Sequence, residues 1–306
     1  GMTLDQALAE INIIITNLLT VQTDFGWKGL LPWLKLAPSA YPRTHDIALG
    51  DNANLSQSLA VLSGLLQMSS LTPEQAVAAD ALKTKVELFL DNQAEGYQSF
   101  VEEVSGGFYQ VFTRDTLTST TGFFPAVYMD RVANEFRGAV AFLTVRFPSL
   151  PKTVFEALSL RYNNYTDSAG NTIENLAYFD GGAFQAFWPL LRNRETDFIG
   201  FRKALNNAFV TYSDYSARNN IPGFISASQR PDGTESGHYE GRTGIRDIAE
   251  AGFGTAADEF IGDVGSIYAL ASAYSLNPEV VLQWLASIRG QIPPYRGALH
   301  LCENAV

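Results

Sequence analysis

TPEQAVAADALKTKVELFLDNQ, residues 72–93, reads as a helix from its first three letters. Thr72 is of the type that caps a helix N-terminus, and Pro73 falls at the first helical position, where a missing N–H costs nothing. The helix then runs on through AVAADALKTKVELFLDNQ. Outward from it the same pattern recurs. Thr3 opens a segment with Leu4, Leu8, Ile11, Ile15 and Leu18 spaced by three or four, one face of a helix. Asp51 is placed to cap NANLSQSLAVLSGLLQM. Further helices are expected at about 131–146, 151–161, 182–192 and 196–217. The last two are GDVGSIYALASAYSL and, after Asn277-Pro278, EVVLQWLASIRG.

Long loops rich in Gly, Ser, Thr and aromatics separate these helices, at about 23–50, 105–129 and 218–261. GFYQVFT at 107–113 is a candidate for short β structure. Loops of such length in a compact domain are usually functional. No linker, low-complexity tract or charge block divides the chain, so one domain over 1–306 is expected. Paired helices recurring along it suggest an all-α ring of helical hairpins with long loops on one rim.

The composition, 46% hydrophobic and 17% charged over 306 residues, is that of a globular chain with a sizeable core. A net charge of -11 opposes nucleic acid or an anionic membrane as partner. A neutral sugar suits an acidic chain with 13 Tyr, 20 Phe and 4 Trp. Cys302 is the one cysteine, so neither an intrachain disulfide nor a cysteine zinc site is possible. His45, His238 and His300 are scattered, and neither metal nor cofactor is expected. The apolar runs read as too short to span a bilayer. Gly1 reads as a cloning remnant before Met2, and MTLDQALAEINIII lacks the basic region of a signal peptide. A native start at Met2 implies the cytoplasm, and a trimmed leader implies the periplasm or secretion.

Phosphate-binding, dinucleotide-binding, zinc-protease and serine-hydrolase motifs are all missing. What remains is carboxylates beside aromatics. In YMDRVANEFRGA, residues 128–139, Asp130 stands at the expected helix start and Glu135 in its second turn. The helix dipole alone can account for such acids. With Val132, Phe136 and Ala139 around it, a partly buried Glu135 would gain the raised pKa of a general acid. In YFDGGAFQAFWP, residues 178–189, Asp180 either caps the following helix or faces a ligand. Its glycines permit close approach of backbone to ligand. Phe184, Phe187 and Trp188 share a helical face, as core residues or as a stacking wall.

The loop at 222–254 gathers Asp232, Glu235, His238, Tyr239, Glu240, Arg242, Asp247 and Glu250, as either solvated charges or a binding rim. Trp27 and Trp33 lie in the non-helical TDFGWKGLLPWLKL, as sugar platforms or as tryptophans hidden by folded loops. Paired carboxylates are what glycoside hydrolysis requires, one to protonate the leaving oxygen and one to activate water or attack the anomeric carbon.

Taken in order, SGGFYQVFTRDT (105–116), DRVANEFRGAVAFL (130–143), LAYFDGGAFQAFWPLL (176–191), IPGFISAS (221–228) and IGDVGSIYALASAYSLNPEVVLQWL (261–285) carry a resemblance. The chain resembles the glucoamylase-like family of bacterial (α/α)-toroid proteins, which includes β-1,2-glucan hydrolases and domains attached to cyclic glucan synthases. Phe224 and the Phe179-Asp180 pair depart from the family pattern, and the loop at 229–254 is this sequence's own.

The resemblance implies an (α/α)6-type toroid with a carbohydrate cleft at one rim. It makes Glu135 the first catalytic carboxylate, with Asp180 or Glu235 opposite and no cofactor. Trp27, Trp33, Tyr109 and Trp188 would stack on sugar rings. Asp51, Asp130, Ser228, His238, Tyr239 and Glu240 would complete the substrate contacts. A non-catalytic glycan-binding or polysaccharide-assembly protein with the same cleft is the alternative. A lyase, using His238-Tyr239 and a basic cleft, conflicts with the net charge.

Overall fold

The computed structural model describes residues 1–35, 41–68, 70–230, 238–240, 243–250, 265–288 and 304–305. Packing divides the chain into two units, residues 1–130 with 138–159 and residues 131–137 with 160–306.

The first unit is built on three long helices, α1 (Leu4–Phe25), α2 (Leu49–Met68) and α3 (Pro73–Asp91), with α1 and α2 both packed on α3. Capping boxes start two of them. The Thr72 hydroxyl accepts from the Gln75 N–H of α3, and Gln75 Oε1 accepts from the Thr72 N–H; Thr3 and Gln6 repeat the exchange on α1. Leu8, Ile15 and Val21 of α1 meet Leu82, Val86 and Phe89 of α3 in a buried cluster.

By length and apolar content α1 is also a helix that could cross a membrane, contrary to the sequence reading of short apolar runs. Here it presents one face to α3. Helix α2 begins three residues earlier than expected, so Asp51 lies in its first turn instead of capping it. Short helices α4 (Ala94–Ser99), α5 (Arg137–Arg146) and α6 (Thr153–Glu156) follow. The expected β structure forms as Phe108–Tyr109 and Val111–Arg114, the latter pairing antiparallel with Asp46–Ala48 and Gly122–Phe123.

Helix α5 starts at Arg137, not near 131, and the cause is local. Asn134 Oδ1 accepts the Phe136 N–H at 2.7 Å and its Nδ2 donates to the Arg131 carbonyl. Those side-chain bonds hold residues 132–136 in bends and a turn in place of a helical ladder.

The second unit holds α7 (Ala183–Phe187), α8 (Ile199–Arg218), α9 (Ile267–Ser272) and α10 (Pro278–Ile288). Pro189 has no N–H to continue the ladder, so α7 passes into a 3-10 turn at Trp188–Leu191. A hairpin, Tyr162–Thr166 with Thr172–Leu176, packs on α8. Phe224 lies in the core, its ring 5.6 Å from Phe187, 5.5 Å from Phe209, 5.8 Å from Tyr212 and 5.6 Å from Trp284.

Candidate active site

Asp180 is set by a backbone seam in the second unit. The Tyr178 N–H donates to the Ile248 carbonyl at 3.0 Å and the Glu250 N–H donates back to the Tyr178 carbonyl at 2.9 Å. Gly181 then turns at φ +72°, and the Ile245 N–H and the Tyr212 hydroxyl both donate to its carbonyl, at 2.9 and 3.0 Å. A Cβ on Gly181 would fall 2.2 Å from the Ile245 oxygen, and one on Gly244 2.2 Å from the Asp180 oxygen. Backbone therefore meets backbone at these glycines, which is a different use from the approach to ligand that the sequence suggested.

The Asp180 side chain turns inward. It is 6% exposed, and its Oδ1 accepts the Gly182 N–H at 2.8 Å. Burial pushes its carboxyl up to about 7. The Gly182 bond pulls the other way, and the Glu135 charge raises it further. The Tyr212 phenol on α8 is itself pushed well up by burial, then by Tyr178 and Asp180.

Glu135 lies in the turn before α5, half-buried, and its charge acts on this carboxyl; Ala133 of the same turn belongs to the buried cluster that holds Tyr178. Two residues further on, the buried Arg137 forks onto Glu195, Nε to Oε1 at 2.9 Å and Nη2 to Oε2 at 2.7 Å. Sequence reasoning thus named both acids but missed the arginine between the two segments.

It also passed over Phe179 as a contact residue. That ring is 45% exposed immediately before Asp180, with the Arg131 guanidinium 5.4 Å above it. Arg131 is paired with Glu250, which also accepts from Arg161 Nη1 at 3.3 Å. An aromatic residue adjoining the acid was the available signal.

The other expected contacts fall in both units. Trp27 is corrected outright: 5% exposed, stacked 4.0 Å from Phe112, with Nε1–H donating to the Thr120 carbonyl, it has no free face for a sugar. Trp33 is 48% exposed and donates from Nε1 to Asp51 Oδ2 at 2.7 Å. Tyr109 stacks on Phe124 at 4.8 Å and lies 5.2 Å from Tyr128. Asp130 lines a pocket of about 490 Å³ in the first unit, with Glu102, Gly107 and Tyr128.

In the second unit, Trp188 is half-buried beside Phe184 with the Arg192 guanidinium 5.5 Å over its ring. Strand pairing sets Ser228 opposite Glu240, Gln229 opposite Tyr239 and Arg230 opposite His238. Glu235 lies outside the described residues.

The all-α (α/α)6 toroid expected from the sequence is the fold class of this chain, shown by its likeness to solved structures. Those structures are of an endo-β-1,2-glucanase from Talaromyces funiculosus. The complex with sophorose matches at 17% identity over 94% of this chain, with a TM-score of 0.78. A point mutant with β-1,2-glucan matches at 16% identity over the same share, also at 0.78. This chain covers 59% of either structure's chain. No protein-family model and no curated protein sequence matches it.

Proposed function

We propose that this chain is a glycoside hydrolase acting on a glucan, with Asp180 as general acid and Glu135 as its partner carboxyl. The observation that carries the reading is the buried Asp180, whose carboxyl is raised by burial and further by the charge of Glu135. Two carboxyls whose environments separate their protonation states divide acid and base roles between them. Near neutral pH Asp180 retains a proton that it can give to a leaving glycosidic oxygen. Glu135 takes the other role, to activate water or to attack the anomeric carbon, and their separation decides which.

The fold supports the substrate class, since it is shared with an endo-β-1,2-glucanase solved with β-1,2-glucan and with sophorose. The exposed Phe179 ring offers apolar surface beside the acid for the flat face of a sugar.

The test is product release from a panel of α- and β-linked glucans that includes β-1,2-glucan. Wild type is run beside Asp180→Asn and Glu135→Gln. Reducing ends from at least one glucan, lost in both variants, are expected. A wild type that binds a glucan yet cleaves none would replace the hydrolase by a glycan-binding protein. Equal activity in Glu135→Gln would overturn only that residue's role.

A further inference from the structure

We infer that Arg137 is the positioning residue that holds Glu135 against Asp180, working through a fully saturated buried guanidinium. This rests on the pairing of those two acids proposed above.

All five N–H donors of Arg137 are used. Nε and Nη2 take the two Glu195 oxygens at 2.9 and 2.7 Å. Nη1 donates to the Asn134 and Gln185 carbonyls at 2.8 and 2.7 Å, and Nη2 also to the Ala186 carbonyl at 2.8 Å. One planar fork therefore joins the residue just before Glu135 to α7, the helix that follows Asp180-Gly181-Gly182. The bracing continues within the turn, where the Asn134 side chain ties the Arg131 carbonyl to the Phe136 N–H. Glu135 is thus flanked by two residues whose positions are fixed by hydrogen bonds.

The guanidinium is 2% exposed and Glu195 is 7% exposed. Replacing a buried ion pair by apolar groups of similar volume is often neutral or stabilising, so its presence is poor evidence for a stability role. Its geometry is the better account. A lysine ammonium has three donors and no planar fork, and cannot make these five bonds. Among the described residues the charge that acts on Asp180 is that of Glu135, so the inferred route from Arg137 to Asp180 runs through Glu135. Among the described residues the Tyr212 phenol of α8 is a further titratable group coupled to Asp180.

Carboxyl carbon NMR of the folded full chain, titrated from pH 3 to 9, decides the matter. The Asp180 signal is the one that disappears in Asp180→Asn. Arg137→Lys and Glu195→Gln are each expected to lower the Asp180 midpoint as far as Glu135→Gln does. In the Glu135→Gln background neither should move it further. On a cleaved glucan, kcat should fall about tenfold with KM within about twofold, since positioning is realised in the transition state.

An unchanged midpoint in both folded variants overturns the inference. So does a drop that persists in the Glu135→Gln background, which would mean that Arg137 maintains only the burial of Asp180. Glu195→Gln keeps the shape of the pair and removes its charge, so it answers the question if Arg137→Lys fails to fold. The titration needs no turnover, so a chain that cleaves no glucan would refute the hydrolase reading and leave this result standing.

Discussion

The two units treat polar side chains differently. In the first, the buried polar groups are amides, hydroxyls and one arginine, Arg114, whose Nη1 and Nη2 donate to the Leu117 and Phe25 carbonyls. Its aromatics pack: Trp27, Phe100, Phe112 and Phe124 form one cluster. In the second, carboxylates go inside. Among the described residues the two buried ones, Asp180 and Glu195, both belong there. Among the described residues Glu195 has an arginine fork to compensate it, whereas Asp180 has backbone N–H donors and the negative charge of Glu135. Burying a carboxyl with so little compensation destabilises its charged form, which is how an acid is prepared for proton transfer. Acids alone marked neither unit, since both carry them; the difference is where they are held.

Asp180→Asn attacks the contrast most directly. Glucan cleavage should fall about a thousandfold, measured as kcat. The same variant has a stability signature. Because the folded Asp180 carboxyl titrates above its unfolded value, its stabilising contribution is complete below about pH 4 and is lost as pH rises through about 7. At pH 8 to 9 the asparagine variant should therefore melt higher than wild type, by up to about 4 kcal/mol in unfolding free energy. Identical pH dependence in the two melting series would show that Asp180 titrates normally.

Trp27→Ala should cost about 4 kcal/mol of stability in denaturant unfolding, with KM for any cleaved glucan unchanged. A loss of glucan binding without loss of stability would return Trp27 to the sugar contacts. Gly181→Ala should cost roughly 3 kcal/mol, because the left-handed turn and the Ile245 carbonyl both oppose a Cβ. Trp33→Ala should be the mildest, under about 1 kcal/mol, since it removes one exposed hydrogen bond to Asp51. A large thermal shift there would mean that Trp33 is covered in solution.

Much of the fold was legible wherever signals are local. Thr72 and Pro73 announce α3 within three residues, and Thr3 announces α1. Asn134 shows the limit of periodicity: VANEFRGAV suits a helix, yet one amide side chain satisfies the backbone groups that a helical turn there would need.

The candidate acids Glu135 and Asp180 could be named from their apolar and aromatic neighbours. The duty of Gly181 could not, because its constraint comes from Ile245, far along the chain. Nor could the Arg137–Glu195 fork, which spans 58 residues. Trp27 and Trp33 are six letters apart in one loop, and only packing distinguishes them.

The Asp180 carboxyl has a consequence for calorimetry. A group that titrates at about 7 is half protonated in a neutral buffer. A ligand that accepts a hydrogen bond from its neutral form must draw protons from that buffer as it binds. The measured heat will then depend on the ionisation enthalpy of the buffer chosen. Plotting one against the other counts the protons taken up, and gives a reading of Asp180 from a single binding event.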